Sequence, residues 1–142
     1  MNAMAKQLDR INSICHIPMT LLDGSGNVLA AWPGIQADGV APFAYAVVIE
    51  DFRLQKRDSQ HPLISYLGSG FLLGVMQLSS ELYLLIGLVS PHHQTRKDIL
   101  KMLENVAQPL HFQSLCDYLL QTPLMPLDQL KAYICLLSKL LL

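Results

Sequence analysis

The chain has 142 residues, 51% of them hydrophobic and only 15% charged, with a formal net charge of −1. The length suits one domain, and the charged share, against about 25% in ordinary globular chains, is too small to solvate a whole surface, so a covered partner interface is expected. Basic side chains gather only over residues 53–57 and 96–101, which excludes the basic stripe of a free-standing nucleic-acid binder; no signal-peptide pattern opens the chain, and no apolar run reaches the ~20 residues of a membrane span.

Residues 4–16 read as a helix whose apolar face carries Leu8, Ile11, Ile14 and Cys15, ended by Pro18. Residues 17–22 and 28–32 read as strands joined by the turn Asp23-Gly24-Ser25-Gly26-Asn27. This Gly-Ser-Gly is not a phosphate loop, because neither a helix nor a P-loop lysine follows it. Residues 33–40 read as a loop, 42–56 as a helix with proline in its first turn, and 63–67 as a short strand.

The organising stretch is 71–90, FLLGVMQLSSELYLLIGLVS, read as a hairpin around Ser79-Ser80-Glu81. Successive strand residues point to opposite faces. Phe71, Leu73 and Val75 then oppose Leu72, Met76 and Leu78, while Tyr83, Leu85 and Val89 oppose Leu84, Ile86 and Leu88. Both faces are apolar, so both need a cover.

Three proline-jointed helices follow. Thr95 and Asp98 form a short capping box ahead of Ile99, Leu103 and Val106. Phe112, Leu115, Cys116 and Leu119 mark the second helix, 112–120. The third, opened by Pro126, aligns Leu127, Leu130, Ile134, Leu137 and Leu141, a face widened by Tyr133, Leu136 and Leu140. The order predicts an α+β fold: a PAS/profilin-like five-stranded antiparallel sheet with flanking helices and a C-terminal helical connector. On this reading residues 4–91 are expected to form the PAS-like domain and 92–142 a helical connector and dimerisation segment.

Two segments carry a family resemblance. PMTLLDGSGNVLAAWP resembles the opening hairpin of PAS-type sensor modules. HPLISYLGSGFLLGVMQLSSELYLLIGLVSP with YLLQTPLMPLDQLKAYICLLSKLLL resembles the amino-terminal regulatory region of AraC-type transcription regulators from Gram-positive bacteria. There a strand ending near Ile-Gly-Pro leads through proline-jointed helices to the DNA-binding domain; here the matching piece is Ile86-Gly87-Leu88, with the proline displaced to Pro91. The resemblance implies a cytoplasmic sensor half of a bacterial transcription factor, acting in signal transduction. Met1-Asn2-Ala3 ahead of Met4 reads as a cloning remnant, and the uncapped Leu140-Leu141-Leu142 as a cut, so the DNA-binding half is expected after Leu142.

No pattern supports an enzyme, a metal or a cofactor. His92-His93 lacks a third ligand at metal spacing. Cys15 and His16 point about 100° apart on a helix, which separates a nucleophile from its base. Glu50-Asp51 lies beside Arg53 and Arg57 as a solvated charged face. Cys15, Cys116 and Cys135 read as buried free thiols.

A small-molecule effector pocket is expected between the sheet and the inserted helix, walled by Trp32, Phe43, Val47, Tyr66, Met76 and Tyr83, with His61 at its rim. A homodimer is expected, with Leu115, Leu119, Leu130, Ile134, Leu137 and Leu141 serving the connector and dimer contact. This segment would bind neither membrane nor nucleic acid directly. Two alternatives remain: a roadblock- or longin-like protein-interaction scaffold, and the sensor domain of a histidine kinase.

Overall fold

The computed structural model describes residues 2–32, 49–50, 52–54, 63–67, 71–103, 116–117 and 119–141. In chain order they form α1 (Asn2–Cys15), β1 (Met19–Asp23), β2 (Val28–Trp32), β3 (Leu63–Leu67), β4 (Phe71–Ser79), β5 (Leu82–Val89), α2 (Arg96–Leu103) and α3 (Leu127–Leu141). The fold is α+β: an antiparallel sheet, hydrogen-bonded in the order β2-β1-β5-β4-β3, flanked by helices. The expected loop over 33–40 lies outside the described residues.

Each element follows from local chemistry. Helix α1 ends where His16 takes the left-handed conformation (φ 56°). Its N–H still donates to the Asn12 carbonyl at 2.8 Å, and the Asn12 side chain donates to the Ile17 carbonyl at 2.8 Å. Pro18 follows immediately, so the chain cannot continue the helix. The β1–β2 turn is organised by the Asp23 carboxylate, which accepts from the backbone N–H groups of Ser25 and Asn27, both at 2.9 Å, and from Asn27 Nδ2 at 3.0 Å. Those bonds, led by the Asn27 backbone, hold the Asp23 carboxyl below its ordinary pKa.

The capping box at α2 is reciprocal. Asp98 N–H donates to Thr95 Oγ1 at 3.2 Å, and Thr95 N–H donates to Asp98 Oδ2 at 3.1 Å. The same bonds, the backbone one first, depress the Asp98 pKa.

The β4–β5 ribbon is buried on both faces. Phe71, Leu73, Val75, Tyr83, Leu85 and Leu88 pack with Leu22, Ile49, Phe52, Ile99, Cys116 and Leu119. Leu72, Met76, Leu84, Ile86 and Val89 pack on the other side with Leu8 of α1, Met19, Leu21, Trp32, and Leu130, Ile134 and Leu137 of α3. Full burial of each such side chain stabilises by about 1.5–3 kcal/mol relative to exposure.

One strand end departs from strict alternation. Leu88 and Val89 exchange the faces that alternation assigns them. The β4–β5 register shifts between Leu72 and Leu73, so that Leu72 faces Val89 and Leu73 faces Gly87, leaving Leu88 as an extra residue. A bulge of this kind reverses the inside–outside sense of the residues beyond it. Gly87 makes it possible: its φ is +128°, and a β-carbon there would lie 2.8 Å from the Leu72 carbonyl oxygen.

Gly74 has a different reason. A β-carbon on it would overlap the Ile134 Cδ1 of α3, so the missing side chain lets the helix settle directly on the centre of the sheet. Gly74→Val is expected to lower stability by about 1–3 kcal/mol through overpacking. Ile134→Ala in the same chain is expected to recover part of that loss, because the two positions touch. Urea midpoints of the two single variants and the double variant check this; strictly additive losses would contradict the contact.

Candidate functional site

Two places bring together side chains with chemistry beyond packing. The first is a corner where both hairpin tips meet the segment inserted between β2 and β3. Tyr83, at the start of β5, is 1% exposed. Phe52 meets it edge to face, with ring centroids 5.9 Å apart and planes at 81°. Arg53 Nε donates to the Tyr83 hydroxyl at 2.9 Å, and the guanidinium carbon lies 5.4 Å from the ring centroid. Glu81, from the β4–β5 turn, and Gly24, from the β1–β2 turn, reach the same corner. A β-carbon on Gly24 would overlap the Glu81 carboxylate and sit 2.9 Å from Arg53 Nη2.

The Arg53 pKa is raised above its ordinary value, first by the Tyr83 hydrogen bond, then by attraction to Tyr83, Glu81 and Glu50. A permanently charged guanidinium, a phenol and a carboxylate can orient and hold a group. The arrangement therefore fastens the inserted segment to the sheet.

The second place is the seam between α1 and α3. Gln7 Nε2 donates to the Leu140 carbonyl at 3.3 Å, tying the two helices. The Tyr133 hydroxyl is buried there with no partner at hydrogen-bonding geometry. Burial, with a smaller contribution from neighbouring Cys15, pushes its pKa up to about 12.

The expected pocket is not assembled as a single wall. Trp32 and Met76 belong to the face covered by α1 and α3, whereas Tyr83 belongs to the opposite face. The strand period explains the split. Met76 faces Leu84 across the ladder, and Tyr83 is one residue out of phase with Leu84. Tyr66 is described in its backbone only, paired with Leu72. Phe43, Val47 and His61 lie outside the described residues.

The residues expected to serve the connector and dimer contact are placed within the chain's own core where they are described. Leu119, Leu130, Ile134 and Leu137 are spent inside the fold against the sheet, and Leu141 is partly buried there. Leu115 lies outside the described residues. The outward leucines of α3 are instead Leu136 and Leu140. Of the cysteines, only Cys116 is buried; Cys15 and Cys135 are exposed, because they fall beyond the buried stripes of α1 and α3.

His92 and His93 are both exposed. Among the described residues, no group of three His, Cys, Asp or Glu side chains could hold a metal ion, and no helix is long and apolar enough to cross a membrane. Residue order alone assigns Arg53 to a solvated charged face and Glu81 to a turn, and does not join them. The available signal was that Arg53 directly follows Phe52, at the end of a broad apolar surface.

No family model matches the chain, and no curated protein is detectably similar to it.

Tyr83→Phe keeps the ring contacts and removes the Arg53 hydrogen bond, with an expected loss of about 0.5–1.5 kcal/mol. In an Arg53→Ala background the same change is expected to cost clearly less, which a double-mutant cycle from denaturant melts measures. At the seam, a phenol whose folded pKa exceeds its unfolded value keeps its proton in the native state after the unfolded chain has lost it. Stability is then full below the unfolded pKa of about 10 and falls as pH rises from there toward about 12. Tyr133→Phe is expected to flatten that alkaline slope without lowering stability at neutral pH, read from melts between pH 7 and pH ~11.5.

Proposed function

We propose that this chain is a regulatory sensor and dimerisation domain of a bacterial transcription regulator of the AraC type, built on a PAS/profilin-like sheet. The observation that carries this reading is the direct seating of α3 on the sheet centre, where Ile134 lies over Gly74. A second link runs through the end of β5. Ser90 N–H donates to the Pro123 carbonyl at 2.8 Å, and Met125 N–H donates to the Ser90 carbonyl at 2.7 Å, forming a parallel bridge between Ser90 and Leu124. A change at the sheet therefore has two routes into the C-terminal helix.

Strand order supports the PAS-like assignment. The sheet runs β2-β1-β5-β4-β3, so the opening hairpin lies beside the last strand and the inserted segment joins opposite edges. In that layout an effector sits between the sheet and the inserted helices, which here is the face of Tyr83, Phe52 and Ile49. Effector binding would shift the population between two packings of α3, provided that it binds one of them more tightly. The reoriented helix would then move a DNA-binding half following Leu142.

A protein-interaction scaffold of the roadblock or longin kind is the second reading. It is favoured by the packing of both sheet faces with the chain's own side chains.

Thermal melts against a panel of small organic acids, sugars and amines separate the two. A genuine effector present at 100 times its Kd adds about 2.7 kcal/mol, a shift of several degrees. That shift is expected to disappear in Tyr83→Ala and to persist in the surface variant Lys131→Ala. A panel that moves no melting temperature would favour the scaffold. The parent reading frame past Leu142 is expected to encode two helix-turn-helix units; a kinase module or a stop codon there would overturn the assignment.

A further inference from the structure

We propose that the outer face of α3 pairs with the same face of a second copy of this chain, the two helices running antiparallel about a two-fold axis between Ala132 and Cys135. The proposal rests on the dimeric reading above and names its surface.

Helix α3 has two usable faces. The inner one, Leu130, Ile134 and Leu137, is buried against the sheet. On the outer one Asp128, Ala132, Cys135, Leu136, Lys139 and Leu140 are all exposed. Leu136 is 55% exposed and Leu140, one turn on, is 49% exposed; Ile14 on neighbouring α1 is 77% exposed. An apolar strip of this kind on a chain so poor in charge calls for a cover.

The charges identify the cover. Asp128, Ala132, Cys135 and Lys139 stand four, three and four residues apart, which sets them along one seam of the helix. The spacing reads the same in both directions. Rotation about its midpoint brings Asp128 of each copy against Lys139 of the other, and Ala132 against Cys135, each contact occurring twice, as an isologous interface requires. Asp128 lies in the first turn and Lys139 in the last. Neither belongs to the chain's own Arg96–Asp117 ion pair, and neither has another ion partner among the described residues.

A parallel arrangement would instead set Asp128 on Asp128 and Lys139 on Lys139. The small side chains of Ala132 and Cys135 at the midpoint let the two helices approach closely. Leu136 and Leu140 then close over the flank of the contact and lose their exposure to water.

Sedimentation velocity on the full chain tests the proposal, with circular dichroism melts to confirm that each variant is folded. The wild type is expected to be a dimer, and Leu136→Glu to be largely monomeric. Asp128→Lys and Lys139→Asp, each converting two attractive contacts into repulsive ones, are expected to weaken association about tenfold or more. The double variant Asp128→Lys/Lys139→Asp exchanges the signs and is expected to return to near wild-type affinity.

A double variant no tighter than the single ones would overturn the antiparallel pairing. A dimer unmoved by any variant would place the interface elsewhere, overturning the α3 surface while leaving the dimeric reading standing. A wild-type monomer would overturn both.

Discussion

The structure depends on a ribbon that is buried on both sides from Phe71 to Met76 and from Tyr83 to Val89. Strands β4 and β5 carry no charged residue between Phe71 and Ser79 or between Leu82 and Val89. A two-stranded ribbon of this composition cannot stand alone in water. It needs β1 and β3 along its edges and helices across both faces. The other described elements can be placed by that requirement. Helices α1 and α3 cover the face of Leu72 and Met76, while Ile49, Phe52, α2 and Leu119 cover the face of Leu73 and Val75.

Two glycines decide how closely the cover fits. Gly74 lets Ile134 touch the sheet, and Gly87 lets the end of β5 bulge toward Leu72. The consequence is mechanical: α3 rests on the sheet as packed apolar matter rather than hanging from it by a loop. Packed interfaces have discrete arrangements more readily than continuous ones. On the function proposed above, α3 is the element that would carry a signal, through its packing on the sheet. The polar fastening at Arg53, Tyr83 and Glu81 is compatible with this role, since it ties the inserted segment to the sheet face that α3 does not cover.

Much of the fold was legible from residue order alone. The apolar runs around Ser79-Ser80-Glu81, the Asp23–Asn27 turn, the Thr95–Asp98 capping box and the stripe through Leu130, Ile134 and Leu137 each express a local rule. Those elements stand where their patterns place them. The reach of the candidate site was shorter. Aromatic and methionine side chains advertise an apolar environment without saying which one, so Trp32, Met76 and Tyr83 could be grouped although they lie on two faces. Likewise, a helix stripe announces that it will be buried, not by what. Leu130, Ile134 and Leu137 met the sheet.

The amino-acid sequence by itself determined that this chain makes an α+β fold with a two-sided apolar hairpin at its middle, because strand alternation, turn chemistry and helix capping act over a few residues. Tertiary structure alone decided which helix covers which face and where Leu88 and Val89 change sides. It also decided that Arg53 would find Tyr83, and that Leu136 and Leu140 would be left outward. Those outcomes turn on the meeting of residues far apart in the chain, and on whether a neighbour such as Gly74 leaves room for it.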